Sequence, residues 1–127
     1  MMSDVLNIVG NAMSEMGIEY DIGEYSKSPI VYPYFVGEFT APEPVTEDGL
    51  HDGSFILTGF HRGSWFELIE AQEKIEKHFS WMSSTPIISN DGSAVVVMYA
   101  GSRIVPTGDA ELKRVQINLQ VKEWRVK

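Results

Sequence analysis

The segment Val115-Gln116-Ile117-Asn118-Leu119-Gln120-Val121-Lys122 alternates apolar and polar side chains without a break. Successive side chains on a strand point to opposite faces, so a period of two marks a strand with one buried side. The other side is wet or faces a neighbouring subunit. Such a strand is stable only in a sheet whose apolar face is covered. The alternation predicts that Val115, Ile117, Leu119 and Val121 are buried. It predicts that Gln116, Asn118, Gln120 and Lys122 face water or a partner.

Two segments qualify as the cover. Val5, Leu6, Ile8, Val9, Ala12, Met13 and Met16 recur at spacings of three and four, which is one apolar helical stripe. Ser3 suits the N-cap, Asp4 suits the positive helix end, and Gly17 suits the residue that ends the run. The spacing predicts a helix at about 4–16. Ser64-Trp65-Phe66-Glu67 fits a capping box, with Ser64 at N-cap and Glu67 at N3. Trp65, Leu68, Ile69, Ile75 and Phe79 then carry a second stripe, supported by Glu70–Lys74 and Glu73–Lys77 at the favourable spacing. This predicts a helix at about 65–79.

The remaining segments read as strands and connections. Residues 18–25 alternate and predict a short strand. Strands are predicted at about 33–40 and 53–62, and the continuous apolar run 94–100 predicts a covered central strand. Residues 41–52 hold two prolines and an Asp-Gly pair and read as a hairpin loop; 81–89 reads as a connection. Residues 90–92 and 101–108 read as turns. The expectation is an α+β fold: a mainly antiparallel sheet of four to five strands with two helices packed on one face. At 127 residues, 1–127 form a single domain.

Charge and composition narrow the function. There is no cysteine, which removes disulfides, thiolate metal sites and cysteine nucleophiles together. No apolar run approaches the ~20 residues of a membrane-spanning helix, so no membrane is expected as partner. The net charge of −8 disfavours nonspecific nucleic-acid binding, and no sequence-specific nucleic-acid motif occurs. The charge is uneven. Residues 1–100 carry 15 acidic and 4 basic side chains, and residues 101–127 carry 3 acidic and 6 basic ones.

A search for chemistry returns little. His51, His61 and His78 fall in no metal-binding spacing. Asp48-Gly49, Asp52-Gly53 and Asp91-Gly92 read as turns, because an EF-hand needs alternating acids and a glutamate at position 12. No nucleophile elbow, phosphate-binding loop or dinucleotide fingerprint is present. Tyr32, Tyr34, Phe35, Phe39, Trp65 and Phe66 read mainly as core, with an excess available as interface anchors. Neither an enzyme nor a cofactor, catalytic residue or metal site is expected.

Four stretches carry a family resemblance that spans nearly the whole chain. They are the N-terminal amphipathic helix before Val31-Tyr32-Pro33-Tyr34-Phe35-Val36-Gly37-Glu38-Phe39, and Phe55–Phe60 running through Arg62-Gly63-Ser64 into the helix with Glu70-Ala71 and Ile75. The later apolar strand and the Arg114–Val121 strand complete them. In this order and with these lengths the chain resembles the small tail-terminator and tail-completion (head–tail joining) proteins of long-tailed bacteriophages and prophages. The resemblance implies a structural virion protein. It implies a homo-oligomeric ring, typically a hexamer, that caps the tail tube and meets the head connector. Its partners are then further copies of itself, the tail tube protein and the head connector protein. It would work in the virion tail and, during assembly, in the host cytoplasm. The charge asymmetry suggests subunits meeting head to tail, with Arg103, Lys113, Arg114, Lys122 and Arg125 as donors and Glu38, Glu43, Glu47 and Asp48 as acceptors. The alternative reading is a cytoplasmic ligand-binding or regulatory α+β module.

Overall fold

A computed structural model of the chain describes residues 2–40, 50–82, 87–88, 92 and 94–124. The elements follow in the order α1 (Met2–Glu15), β1 (Glu19–Ile22), β2 (Tyr34–Thr40), β3 (Leu50–His61), α2 (Trp65–Met82), β4 (Ile87–Ile88), β5 (Ala94–Ile104) and β6 (Lys113–Trp124). They build an α+β fold with one curled sheet in the order β1-β2-β3-β6-β5-β4.

Both helices lie where periodicity puts them. On α1, Val5, Val9, Ala12 and Met13 are buried; on α2, Leu68, Ala71, Ile75 and Phe79 are. The end of α1 is set by Gly17 at φ 69°. Gly17 N donates to Ser14 O at 3.1 Å and Ile18 N to Met13 O at 3.0 Å, the paired bonds of a Schellman motif. A side chain at Gly17 would be strained at that φ. The turn drops Ile18 against the core and leads into β1.

The alternation of β6 is realised residue by residue. Val115, Ile117, Leu119 and Val121 are each at most 1% exposed, whereas Gln116, Asn118 and Lys122 are half-buried and Gln120 is exposed. The ladder joins Leu119 to Phe55 on one side and to Tyr99 on the other. Phe35, Phe55, Leu57, Val95 and Val97 complete this apolar face, and both helices insert their stripes into the same core. Two aromatic rings lie over glycines there. Phe35 covers its direct partner Gly59, and Phe55 covers Gly37. A Cβ at either glycine would fall within 3.0 Å of ring atoms.

The sheet corrects the expected one in three ways. It has six strands rather than four to five. It is mixed, because β1 pairs parallel to β2, with Glu19 opposite Tyr34 and Ile22 opposite Gly37. A parallel neighbour needs a connection that returns to the starting end of the sheet, and residues 23–33 make that return. β4 is two residues long, too short to leave a pattern in the sequence.

Strand ends moved as well. Asp52 and Gly53 are not a turn: they lie within β3, opposite Lys122 and Val121. Gly101, expected in a turn, sits inside β5 at φ 133°, where the β5–β6 register slips between Tyr99 and Gly101. A bulge of this kind bends a strand without ending it, and β5 runs on to Ile104. The turn proper is 105–112, with Gly108 at φ 82°. The expected loop at 41–52 therefore loses its last three residues to β3, and 41–49 lies outside the described residues.

Candidate functional site

The sheet has two distinct ends, and the side chains with functional chemistry gather at one of them. β3 finishes at His61, Arg62-Gly63-Ser64 turns the chain, and α2 begins at Trp65. His61 points to the core face because it continues the inward set Phe55, Leu57 and Gly59, and it is 4% exposed. Glu67 Oε2 lies 2.8 Å from His61 Nε2, although the angle is not that of a hydrogen bond. The glutamate expected to close a capping box thus turns towards the imidazole. Tyr32 meets the same imidazole edge-on at 6.3 Å between centroids. Gly63 is required here, because a Cβ on it would fall within 3.0 Å of His61 Nε2.

Beside this group runs a surface cleft of about 320 Å³ lined by Glu19, Tyr32, Glu67, Glu70 and Lys74, among others. An imidazole in contact with a carboxylate has the elements of an acid–base pair. The cleft lining supplies no serine, threonine or cysteine for it to activate. Among the described residues no group of three or more metal-ligating side chains occurs.

Arg62 ties this end to the β5–β6 turn. Its Nη1 donates to Asp109 Oδ2 at 3.4 Å. Its own proton is held more firmly than usual, first by a hydrogen bond with Tyr32 and then by Asp109. The Asp109 carboxyl lies below its ordinary value of 3.8, chiefly because the Glu111 amide donates to it, with Arg62 adding its charge. A carboxylate whose value is depressed by folding stabilises the fold above the ordinary value and loses that effect as pH falls through the depressed one. The Glu111 amide resonance is therefore expected to titrate with a midpoint below 3.8. Asp109→Asn should abolish that step. A midpoint at or above the ordinary value would contradict the contact.

Exposed apolar side chains mark both ends of the sheet. At the α2 end Phe66 is 72% exposed, Trp65 39% and Ile104 60%. Lys113 Nζ stands 5.9 Å from the Trp65 ring centroid. At the far end of β6, Trp124 is 43% exposed and Ile88 65%. These two occupy one transverse row, since Ile88 pairs with Ala94 and Ala94 with Trp124. Trp65 and Phe66 thus lie outside the core, which corrects the sequence reading that counted them mainly as core.

The residues expected at a subunit interface do not form one patch. Lys113 and Arg114 stand at the start of β6 and Lys122 near its end. Arg114 is committed locally, donating from Nη2 to Pro106 O at 2.6 Å, and Arg103 donates to Gln116 Oε1 at 3.1 Å. Lys122 lies across the ladder from Asp52. Glu38, an expected acceptor, lines the same cleft of about 410 Å³ as the donor Arg114. Donor and acceptor thus share a face of one subunit there. Glu43, Glu47, Asp48 and Arg125 lie outside the described residues. That cleft is floored by a ring stack, Tyr25 on Tyr34 at 4.2 Å and Tyr34 on Phe60 at 5.2 Å.

Sequence reasoning counted Phe66 mainly with the core aromatics and passed over Ile88 and Trp124. A signal existed for Phe66. The buried positions Leu68, Ala71, Ile75 and Phe79 define the inner face, and Phe66, two residues from Leu68, falls on the far side of a 3.6-residue period. No family model matches the chain, and no curated protein matches it either.

Proposed function

We propose that the chain is a structural phage or prophage virion protein. In this reading copies of it form a ring, a hexamer, at the head-proximal end of the tail tube, where the ring ends tail growth and joins tail to head. Its partners are further copies of itself, the tail tube protein and the head connector protein. The order and lengths of the sequence segments suggested the reading. The observation that carries it is the placement of large exposed apolar side chains, Phe66 and Ile104 at one end of the sheet and Trp124 and Ile88 at the other. Exposed aromatic residues set at separate sites are the anchors that protein interfaces use. A ring of copies needs two different sites on each subunit. The net charge of −8 suits a ring whose bore passes DNA, since like charge keeps phosphates from sticking.

The test is binding to purified tail tubes of the virus that encodes the chain. Gold-labelled protein is expected at one end of each tube in electron micrographs. Added before polymerisation is complete, it is expected to stop tube elongation. Protein that ignores tube ends, or coats the sides, would end this reading. The cleft of Glu19, Tyr32, Glu67, Glu70 and Lys74 favours a second one, a cytoplasmic ligand-binding or regulatory module for a small polar ligand.

A further inference from the structure

Two groups compete for the carboxylate of Glu67. In the capping box that Ser64-Trp65-Phe66-Glu67 spells, the glutamate accepts from the N-cap amide, that of Ser64. In the structure Glu67 Oε2 lies instead 2.8 Å from His61 Nε2. The imidazole ends β3 and the carboxylate stands in the first turn of α2, so their contact spans the turn between the two elements.

His61 is 4% exposed, and neither ring nitrogen has a hydrogen-bond partner among the described residues. Buried nitrogens in that condition are rare and costly. The approach of Glu67 is close but off-axis. A hydrogen bond from a neutral ring weakens steeply when it is bent. The attraction between an imidazolium and a carboxylate depends chiefly on their distance. The contact is therefore weak while the ring is neutral and strengthens when the ring takes a proton. The Glu67 side chain is 60% exposed, so water keeps the gain modest.

The other groups around the ring leave Glu67 as its partner. Tyr32 meets it edge-on from the return segment 23–33. On β6 the ladder partner is Lys113, but the Lys113 ammonium stands over the Trp65 ring and donates to Ala110 O at 3.5 Å. Arg62, next in the chain, is engaged by Tyr32 and Asp109. β2 begins at Tyr34, opposite Phe60, and carries no charge at this end. Glu19, Glu70 and Lys74 line the cleft beyond Glu67. Gly63 closes over Nε2 so tightly that a Cβ there would fall within 3.0 Å of it.

We infer that His61 and Glu67 form a proton-operated latch on the start of α2. With His61 protonated, the imidazolium holds Glu67 and the Ser64 amide goes without its cap. With His61 neutral, Glu67 swings back, accepts from the Ser64 amide and closes the capping box, where its charge also suits the positive helix end. The first turn that gains or loses this bond carries Trp65 and Phe66, 39% and 72% exposed. Protonation thus sets how firmly those two side chains are presented. The latch operates in the isolated subunit, whether or not copies of it join a tail.

Nuclear magnetic resonance on the full chain tests this between pH 5 and 8, where imidazoles change charge and ordinary carboxylates do not. Three signals are followed: the His61 ring, assigned among the three histidines, the Glu67 side-chain carboxyl carbon and the Ser64 amide. All three are expected to titrate with one midpoint, and the Ser64 amide proton should move downfield as pH rises. The ratio of capped to uncapped first turn should rise about 3-fold across the transition, the size an exposed ion pair supports. In Glu67→Gln protein the His61 ring should still titrate while the Ser64 amide stays flat. Glu70→Gln removes a neighbouring exposed carboxylate and should leave the coupling as in wild type. Both variants alter exposed side chains, so the fold is expected to survive. A Ser64 amide that does not titrate in wild type would overturn the latch. So would one that still follows His61 in Glu67→Gln, or one that is uncoupled by Glu70→Gln.

Discussion

Gly59→Ala is expected to destabilise the protein by about 1–3 kcal/mol, the usual cost of forcing a methyl group into a filled core. Gly59 is buried near the end of β3 and pairs directly with Phe35, whose ring lies across it. The new Cβ would come within 3.0 Å of the ring, and Phe35 is itself 0% exposed, so the ring has little room to retreat. Phe35→Ala alone should cost about 3–5 kcal/mol, because it empties the space of a full ring. The informative variant is the double one. With the ring gone, the alanine methyl has space, and alanine is a better strand residue than glycine by about 0.5–1 kcal/mol. Gly59→Ala should therefore be neutral or stabilising in the Phe35→Ala background. Urea unfolding of the four proteins gives the cycle. Costs that simply add would mean that the ring does not sit over Gly59.

The second large effect compares neighbours in β6. Leu119→Ala should cost about 2–5 kcal/mol, since Leu119 is 1% exposed in the centre of the sheet between Phe55 and Tyr99. Gln120→Ala should change stability by no more than about 0.5 kcal/mol, since Gln120 is exposed on the opposite face. The same urea measurement checks both. Equal costs at 119 and 120 would refute the register, because a slip of one residue exchanges the two faces.

What could be read in the sequence was whatever repeats within one element. The stripe of Val5, Val9 and Met13, that of Leu68, Ile75 and Phe79, and the alternation from Val115 to Val121 each fixed an inward face before any neighbour was known. Pairing direction is not a local property. Residues 18–25 announced a strand, but its parallel docking on β2 depends on the path of residues 23–33. Glycine was the least legible residue. Gly53 and Gly101 look like turn glycines, yet one is packed against Val121 in a ladder and the other carries a bulge. Summing charge over residues 101–127 hides that Lys113 and Lys122 stand at opposite ends of one strand. It also hides that Arg114 spends its guanidinium on Pro106 O. Phe66 and Trp124 appear as anchors only once burial separates them from the core aromatics.

The place of β6 between β3 and β5 has a consequence for how the chain is made. Synthesis delivers β1, β2 and β3 as one part of a sheet, and β4 and β5 as another. Among the described residues no strand pairing of the finished sheet joins these parts until residues 113–124 arrive. Through that interval β3 and β5 both offer a free inner edge, and such edges are where strands find wrong partners. Insertion of the last strand closes both edges at once and gives α1 and α2 a continuous surface to rest on. The sheet thus stays in two parts until residues 113–124 are available, and its completion is timed by the arrival of that strand.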